Sequence, residues 1–203
     1  MIVIVDYGMG NLRSVEKKLN KVGATPVVSN HTDDIKRASK LILPGVGHFD
    51  KAVQNIKKLG IWNLLDDCVL EKKTPILGIC LGMQLMAKSS SEGNAEGFGW
   101  VDAKVVRFDI MNKLKYKVPH IGWNNVKQKQ KCKIFDQIDE NSSFYFVHSF
   151  YMHCNNEKDI IGETFYESKF VSAIKKNNII GTQFHPEKSH DVGEKLINNF
   201  IEI

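Results

Sequence analysis

Residues 74–85 read TPILGICLGMQL and decide the fold. The apolar run that ends at Cys80 predicts a buried β-strand, and residues 81–88 predict a helix directly after it. Between the two, Gly78, Cys80 and Gly82 have the G-x-nucleophile-x-G spacing of a strand-turn-helix elbow, with cysteine where hydrolases often have serine. Flanking glycines remove the Cβ atoms that would clash in so tight a turn. The segment therefore predicts a cysteine held clear of a sheet at the start of a helix.

Cys80 is the candidate nucleophile, because the peptide dipole and free N–H groups at a helix N-terminus favour a thiolate. The pentapeptide alone also fits a buried structural cysteine whose neighbouring glycines only allow close helix–strand packing. The other cysteines are scattered without a C-x-x-C pair, so we expect reduced thiols rather than a zinc ribbon or a disulfide framework; they are Cys68, Cys132 and Cys154.

Outward from this segment, the first half of the chain alternates short apolar runs with segments of helical period. Strands are predicted at residues 2–5, 25–29, 41–43 and 74–80, and helices at residues 12–22, 33–39, 49–59, 62–72 and 81–88. Continuous apolar strands that alternate with helices are typical of a parallel sheet buried on both faces.

The second half is richer in strands. They are predicted at residues 101–108, 121–126, 144–151, 160–166, 171–174 and 179–184, the last two as a hairpin, and a final helix carries Val192, Leu196 and Phe200 on one stripe. We therefore expect a single α/β domain over residues 1–203, with a mostly parallel sheet extended by antiparallel strands.

Composition supports an ordinary globular protein. The chain has 203 residues, 42% hydrophobic and 25% charged, which excludes disordered, collagen-like and coiled-coil classes. No apolar run approaches the roughly 20 residues of a membrane span, and residues 2–5 resemble a strand rather than a signal peptide. We expect a cytoplasmic protein. The net charge of +5 is mild, and the alternating lysines at 127, 129, 131 and 133 are typical of a solvated strand edge, so nucleic-acid binding is not expected.

A second candidate group is His185-Pro186-Glu187, which follows an apolar run. Side chains two residues apart in an extended segment share a face, so we expect His185 and Glu187 to point the same way. A carboxylate beside an imidazole orients the ring and supports its protonated form. The alternative is a polar strand end whose side chains face solvent.

Two glycine-rich turns follow other predicted strands. Residues 43–47 (LPGVG) could turn backbone N–H groups inward, as an oxyanion site requires. Residues 6–11 (DYGMGN) do not form a dinucleotide fingerprint, because the third glycine position is Arg13. No metal site is expected, since two histidine pairs do not have familiar ligand spacing: His148 with His153, and His185 with His190.

Several of these motifs resemble the class I glutamine amidotransferases, enzymes with a Cys-His-Glu triad. They are GICLGMQL at 78–85, PGVG at 44–47 and GTQFHPEKS at 181–189. DYGMGN at 6–11, VPHIGWN at 118–124 and FYFVHSF at 144–150 resemble, more narrowly, the glutaminase (HisH-type) subunit of imidazole glycerol phosphate synthase. The matches follow the family's order from residue 2 to about residue 200.

The resemblance implies a flavodoxin-like, three-layer fold and hydrolysis of glutamine to glutamate and ammonia. It implies that Cys80 is the nucleophile, that His185 is the acid and base, and that Glu187 orients His185. The family positions that stabilise the oxyanion or hold glutamine correspond to Gly45, Val46, Gly47, Leu81, Gln84, Glu96, Ser149 and Phe150. One departure is His48, where we expect a smaller residue after PGVG.

The resemblance also implies a partner and no cofactor. A (β/α)8-barrel cyclase (HisF-type) subunit would form a heterodimer over the glutaminase site. It would receive the ammonia to make imidazole glycerol phosphate and aminoimidazole-carboxamide ribotide in histidine biosynthesis. The candidate interface residues are Asn11, Trp123, Asn124, Tyr145 and Lys188. Trp123 fits an aromatic interface anchor or a core tryptophan equally well.

Three other functions stay open at this point. A paralogous glutaminase could feed ammonia to a different synthase, for example one for a modified sugar. A stand-alone cysteine hydrolase or peptidase could use a similar elbow. A flavodoxin-like binding or regulatory subunit would need no catalysis at all.

Overall fold

The computed structural model describes residues 1–203 and contains fourteen strands. In chain order they are β1 (Ile2–Val5), β2 (Pro26–Ser29), β3 (Lys40–Gly45), β4 (Ile76–Cys80), β5 (Ser89–Ser90), β6 (Ala95–Glu96), β7 (Ala103–Arg107), β8 (His120–Asn125), β9 (Lys127–Gln128), β10 (Ser143–His148), β11 (Phe150–Cys154), β12 (Ile160–Tyr166), β13 (Ser168–Lys176) and β14 (Ile179–Thr182). Most of them coincide with the short apolar runs of the chain, whereas β5, β6 and β9 are polar two-residue strands.

Six α-helices connect or follow these strands. They are α1 (Leu12–Lys21), α2 (Thr32–Arg37), α3 (Phe49–Lys58), α4 (Trp62–Asp66), α5 (Leu81–Gln84) and α6 (His190–Ile201). None of them is both long and apolar enough to cross a lipid bilayer.

Twelve strands form one sheet in which β14, the last strand of the chain, lies beside β4. The order β2-β1-β3-β4-β14 is parallel throughout, so the carboxyl ends of these five strands lie at one edge. From β14 the sheet continues through antiparallel β13, β11 and β7, with β5 and β6 at the far end and β12 and β9 branching from β13. β8 and β10 form a separate antiparallel pair. The predicted mostly parallel sheet with an antiparallel extension is confirmed.

Apolar side chains cover both faces of the sheet. Val3 and Val5 of β1 pack on one face with residues of α2, α3 and α4, whereas Ile4 packs on the other face with residues of α1 and α6. Successive side chains of a strand point to opposite faces, so a strand buried on both sides must be apolar throughout. The structure thus has the three layers that the resemblance implied.

The predicted strand at 144–151 is wrong as a single element. It breaks at Ser149 into β10, which pairs with β8, and β11, which pairs with β7 in the main sheet. The strand is interrupted where its pairing partner changes from β8 to β7. An apolar pattern alone does not show such a change.

Two predicted helices also differ. The helix expected at 81–88 ends at Gln84, because the chain turns here toward the β5–β6 hairpin. The Leu85 carbonyl accepts the N–H of Phe98 at 2.8 Å instead of continuing the helix. The helix expected at 62–72 consists of α4 and one π-helical turn, Asp67–Glu71.

Candidate active site

Cys80 lies on the sharp turn between β4 and α5, at the carboxyl edge of the sheet. Its backbone has φ 55° and ψ −109°, a conformation that residues other than glycine rarely adopt. Such strain costs on the order of 1–3 kcal/mol and persists only where the surroundings impose it. The turn leaves Cys80 with 6% of its surface exposed, at the floor of a cavity.

The two glycines of the elbow allow this turn to press against its neighbours. A Cβ atom on Gly82 would lie 1.7 Å from the Leu43 carbonyl oxygen of β3. A Cβ atom on Gly78 would lie 2.7 Å from the Gly82 oxygen. Real Cβ contacts are never this short, so Gly82 is required for packing the elbow on β3, and Gly78 for packing β4 against the turn itself.

His185 reaches the same edge because β14 runs parallel to β4, with Thr182 paired to Ile79. The His185 ring is 1% exposed, and its Nδ1 lies 2.8 Å from Glu187 Oε1, which is also buried. Two further bonds fix the His185 backbone: its N–H donates to the Tyr145 oxygen at 2.9 Å, and its oxygen accepts the Ser189 hydroxyl at 2.6 Å.

The electrostatics of the site favour a charged imidazole. Burial alone would disfavour the cation, but the Cys80 thiolate and the Glu187 carboxylate outweigh it and raise the pKa of His185 to about 10. Nδ1 bonds to Glu187, so Nε2 is the ring nitrogen left for chemistry; it is buried and makes no aligned hydrogen bond to the rest of the chain. The arrangement combines a cysteine, an imidazole and a carboxylate as the orienting third group.

The backbone that brings His185 and Glu187 together differs from the extended segment that we predicted. His185 is extended, but Pro186–Lys188 form a 3₁₀ turn. The turn, rather than strand alternation, brings the Glu187 carboxylate back onto the ring. Proline at the first position favours such a turn because its φ is preset and its missing N–H is not needed there.

The cavity in front of Cys80 has a volume of about 400 Å³. Seven predicted site residues line it: Val46, Gly47, Cys80, Leu81, Gln84, Ser149 and Phe150. Lys188, predicted for the partner interface, lines it as well. Sequence reasoning did not select four other lining residues, namely Glu92, Pro119, Val147 and His148. Glu92 and Pro119 lie in loops, and Val147 and His148 are the last two residues of β10. No spacing in the sequence connects them to Cys80.

Glu96, the glutamate predicted to hold glutamine, is not brought to the cavity: it lies exposed in β6, paired with Ser89. Glu92, four residues earlier, does: its Oε2 accepts the N–H of Phe49 at 2.9 Å, and its Oε1 lies 3.3 Å from the ring of His48. The loop at 89–99 has no periodic pattern from which its inward-facing position could be read. His48, the residue that we did not expect after PGVG, therefore contacts the Glu92 carboxylate of the cavity.

The predicted oxyanion segment lies beside the nucleophile. Gly45 pairs with Cys80 in the register of β3 and β4, but it is buried behind the cavity. Gly47 has φ +107°, and the N–H groups of Val46 and Gly47 donate to no oxygen of the chain. The Tyr7 hydroxyl holds this segment by donating to the Pro44 oxygen at 2.6 Å, and burial raises the pKa of Tyr7, which keeps the phenol neutral.

Of the candidate interface residues, Lys188 lines the cavity, and Tyr145 and Trp123 lie next to it. Trp123 of β8 is 48% exposed, which excludes a core tryptophan; it stacks on His190 with ring centroids 4.9 Å apart. It also lies opposite Tyr145 of β10, whose ring has the Lys188 ammonium 5.6 Å from its centre.

The two predicted interface asparagines, Asn124 and Asn11, are half-buried. Asn124 bonds to the Phe165 oxygen, and Asn11 precedes α1 without a capping bond from its side chain.

The chain is similar over its whole length to known proteins. The family model described as glutamine amidotransferase class-I matches residues 3–203. "Imidazole glycerol phosphate synthase subunit HisH 2" of Methanococcus maripaludis is 50% identical over 202 residues, covering 100% of this chain and 99% of that protein. The protein of the same description from Pseudomonas aeruginosa is 45% identical, with both chains fully covered.

Solved structures show the same fold at low sequence identity. A structure described as glutamine amidotransferase superposes with a TM-score of 0.75 at 17% identity, covering 100% of this chain and 98% of that one. A chain of the PurLQS structure from Thermotoga maritima has a TM-score of 0.74 at 15% identity, with 99% and 97% covered.

The four cysteines should differ sharply in reactivity. Burial raises the pKa of Cys68 and Cys132, and it raises the pKa of Cys154 to about 12, so these three stay protonated near neutral pH. Cys80 has an imidazolium neighbour that stays charged until the pH approaches about 10. We expect iodoacetamide to modify Cys80 at least about tenfold faster than any other cysteine at neutral pH, as measured by peptide mass spectrometry.

Replacing His185 tests whether its positive charge causes the reactivity of Cys80. His185→Asn should slow the labelling of Cys80 about tenfold or more near pH 7, whereas Cys132→Ser should leave it unchanged. Preferential labelling of Cys132, or an unchanged Cys80 rate in His185→Asn, would contradict the ion pair.

Proposed function

This chain belongs to the class I glutamine amidotransferases and, within them, to the HisH subunits of imidazole glycerol phosphate synthase, and from that premise we propose that its cavity hydrolyses glutamine to glutamate and ammonia. The observation that supports this chemistry best is the buried His185–Glu187 contact of 2.8 Å at the strand end beside Cys80. It gives a nucleophile, an acid–base group and an orienting carboxylate in one place.

In the first half of the reaction, the Cys80 thiolate attacks the side-chain amide carbon of glutamine. The N–H groups of Val46 and Gly47, and that of Leu81 after the nucleophile, stabilise the oxyanion. Collapse of the tetrahedral intermediate breaks the C–N bond, and His185 Nε2–H gives its proton to the departing nitrogen. Acylation removes the thiolate charge that raised the pKa of His185, so the ring becomes more acidic when the leaving group needs its proton.

In the second half, neutral His185 takes a proton from water as that water attacks the thioester. Collapse of the new tetrahedral intermediate breaks the C–S bond and releases glutamate from the Cys80 thiolate. The protonated His185 and the thiolate are then the starting ion pair again. The four cysteines are all free, which is typical of proteins in a reducing compartment, so we propose a cytoplasmic location.

The walls of the cavity offer complementary groups for the amino-acid end of glutamine. Glu92 supplies a carboxylate for the α-ammonium group. Gln84 donates its Nε2 to the Phe150 oxygen and to Gln183 Oε1, both at 2.9 Å, which leaves its own Oε1 to accept from the substrate. The Ser149 oxygen is engaged by the Phe108 N–H, so the Ser149 N–H is the group that suits the α-carboxylate.

Ammonia must leave the cavity without escaping to water, and we propose that a (β/α)8-barrel cyclase subunit (HisF-type) covers the mouth as a heterodimer. The exposed Trp123 and Lys188 and the half-buried Tyr145 form a patch that adjoins the cavity, of which Lys188 is part. Aromatic side chains beside a basic group are typical of the anchors of a protein interface. The ammonia then serves the synthesis of imidazole glycerol phosphate in histidine biosynthesis.

The pathway assignment is tested by coupled turnover. Glutamate release should be slow for the isolated chain and rise at least about tenfold when the cyclase and its ribonucleotide substrate are added, since the partner encloses the site. Cys80→Ala should abolish synthesis from glutamine and retain synthesis from added ammonium. Loss of both activities would contradict the division of labour, and failure to complement a histidine auxotroph would favour a different synthase as partner.

The two glutamates make a matched pair for substrate binding. Glu92→Gln should raise KM for glutamine about tenfold or more, because a charge-assisted contact to the α-ammonium group is lost. Glu96→Gln should leave KM unchanged, because Glu96 does not line the cavity. Steady-state kinetics of the complex give both values, and the reverse order would restore Glu96 as the binding residue.

Trp123 should dominate the affinity for the cyclase. Trp123→Ala should weaken the complex about thirtyfold, because a buried aromatic anchor contributes about 2 kcal/mol or more. Leu70→Ala is the control: Leu70 is also exposed, but it precedes β4 at the opposite edge of the sheet. Titration by calorimetry measures both, and equal effects would show that the partner does not bind over the cavity.

A further inference from the structure

A glutamine that the mechanism has not used lies against the nucleophile. Gln183 follows β14 directly and is completely buried, and its Nε2 lies 3.6 Å from Cys80 Sγ. It does not line the substrate cavity, so it approaches the sulfur from inside the protein. Its backbone is held by an N–H bond to the Ser172 oxygen at 2.9 Å. An amide N–H at this distance stabilises negative charge on sulfur.

The neighbouring glutamine fixes which end of the Gln183 amide faces the sulfur. Gln183 Oε1 accepts Nε2 of Gln84 at 2.9 Å. Turning the amide over would place an oxygen against the thiolate and two NH₂ groups against each other. The Gln84 amide is oriented in the same way, because its Nε2 also donates to the Phe150 oxygen at 2.9 Å.

Two buried histidines complete the chain of hydrogen bonds. His148 Nδ1 lies 2.8 Å from the Phe150 oxygen, and His148 Nε2 lies 3.1 Å from His120 Nδ1. Burial lowers the pKa of His148 to about 3 and that of His120 to about 4, so both rings are neutral. A carbonyl can only accept, so His148 carries its proton on Nδ1 and accepts at Nε2 from His120.

The chain of hydrogen bonds ends at the strand that we propose for the partner. His120 carries its proton on Nδ1, and its Nε2 accepts from Asn124 Nδ2 at 3.4 Å. Asn124 also donates to the Phe165 oxygen at 3.0 Å. Every donor and acceptor from Asn124 to Cys80 therefore has one consistent assignment.

We propose that Gln183 is a further catalytic residue of the glutaminase reaction, whose amide donates to the Cys80 thiolate, and that Gln84, His148 and His120 are positioning residues that hold it there. The inference rests on the proposed function of Cys80 as nucleophile. The bond is strongest where sulfur carries charge, which is before acylation and again when the thiolate leaves the thioester. Gln183 thereby assists the expulsion of the thiolate during hydrolysis of the acyl-enzyme.

The experiment measures alkylation of Cys80 by iodoacetamide against pH in the full chain. It needs neither glutamine nor the cyclase, so its outcome is separate from that of the glutaminase assay. The ionisable groups that act on Cys80 are His185 and the neutral Tyr7, and Glu92, Lys188 and the neutral His148 line the same cavity. All of them except His148 are kept in every variant. Gln183→Met, of similar size but without the N–H, should move the midpoint of the pH profile upward by about one unit and keep the high-pH rate.

A matched control is Thr182→Val: Thr182 is the buried last residue of β14, next to Gln183, and its hydroxyl donates to the Phe184 oxygen and not to Cys80. Its midpoint should stay at the wild-type value. A Gln183→Met profile that is lowered equally at every pH, with its midpoint unmoved, would show a purely structural role and overturn the proposal.

The positioning residues give a second test that does not depend on the folding of Gln183→Met. His148→Leu should shift the midpoint in the same direction by a smaller amount. His148→Asn should return it to the wild-type value, because the Asn amide nitrogen can occupy the position of Nδ1 and donate to Phe150. Identical midpoints for His148→Leu and the wild type would overturn the role of the hydrogen-bond chain.

Discussion

The attraction between the Cys80 thiolate and the His185 imidazolium is the interaction on which the remaining structure of the site depends. Burial alone disfavours the imidazolium, but the charge of a Cys80 thiolate and that of Glu187 outweigh it. Glu187 lies on the far side of the ring from the thiolate, 2.8 Å from Nδ1. The fold contributes by placing β14 beside β4, so that residues distant in sequence meet at the carboxyl edge of one sheet.

That electrostatic pair is held by backbone that is strained and closely packed. Cys80 has a positive φ, and Gly82 leaves no room for a side chain against Leu43. The sheet beneath is buried on both faces by two apolar clusters, which gives it the rigidity to impose such a conformation. Behind the sulfur, Gln84 Nε2 donates to Gln183 Oε1, and Gln183 Nε2 faces the sulfur.

Much of this could be predicted from the sequence, because local patterns determine it. Continuous apolar runs predicted the parallel strands, and the spacing of Gly78, Cys80 and Gly82 predicted the elbow. What could not be predicted depends on which strands pair. The break at Ser149 arises because β10 and β11 join different sheets, and the choice between Glu92 and Glu96 depends on the path of an aperiodic loop. Gln183 was missed because only the β4–β14 register brings it to the sulfur.

The charge on His185 tests the ion pair most directly. Nitrogen-15 NMR of the histidine rings, recorded from about pH 6 to 10, should show His185 doubly protonated at neutral pH and titrating near the upper end of that range. In Cys80→Ala the same ring should lose its proton at clearly lower pH, because the thiolate charge is gone and burial remains. A neutral His185 ring at pH 7 in the unmodified protein, or a titration that is the same in Cys80→Ala, would contradict the pair.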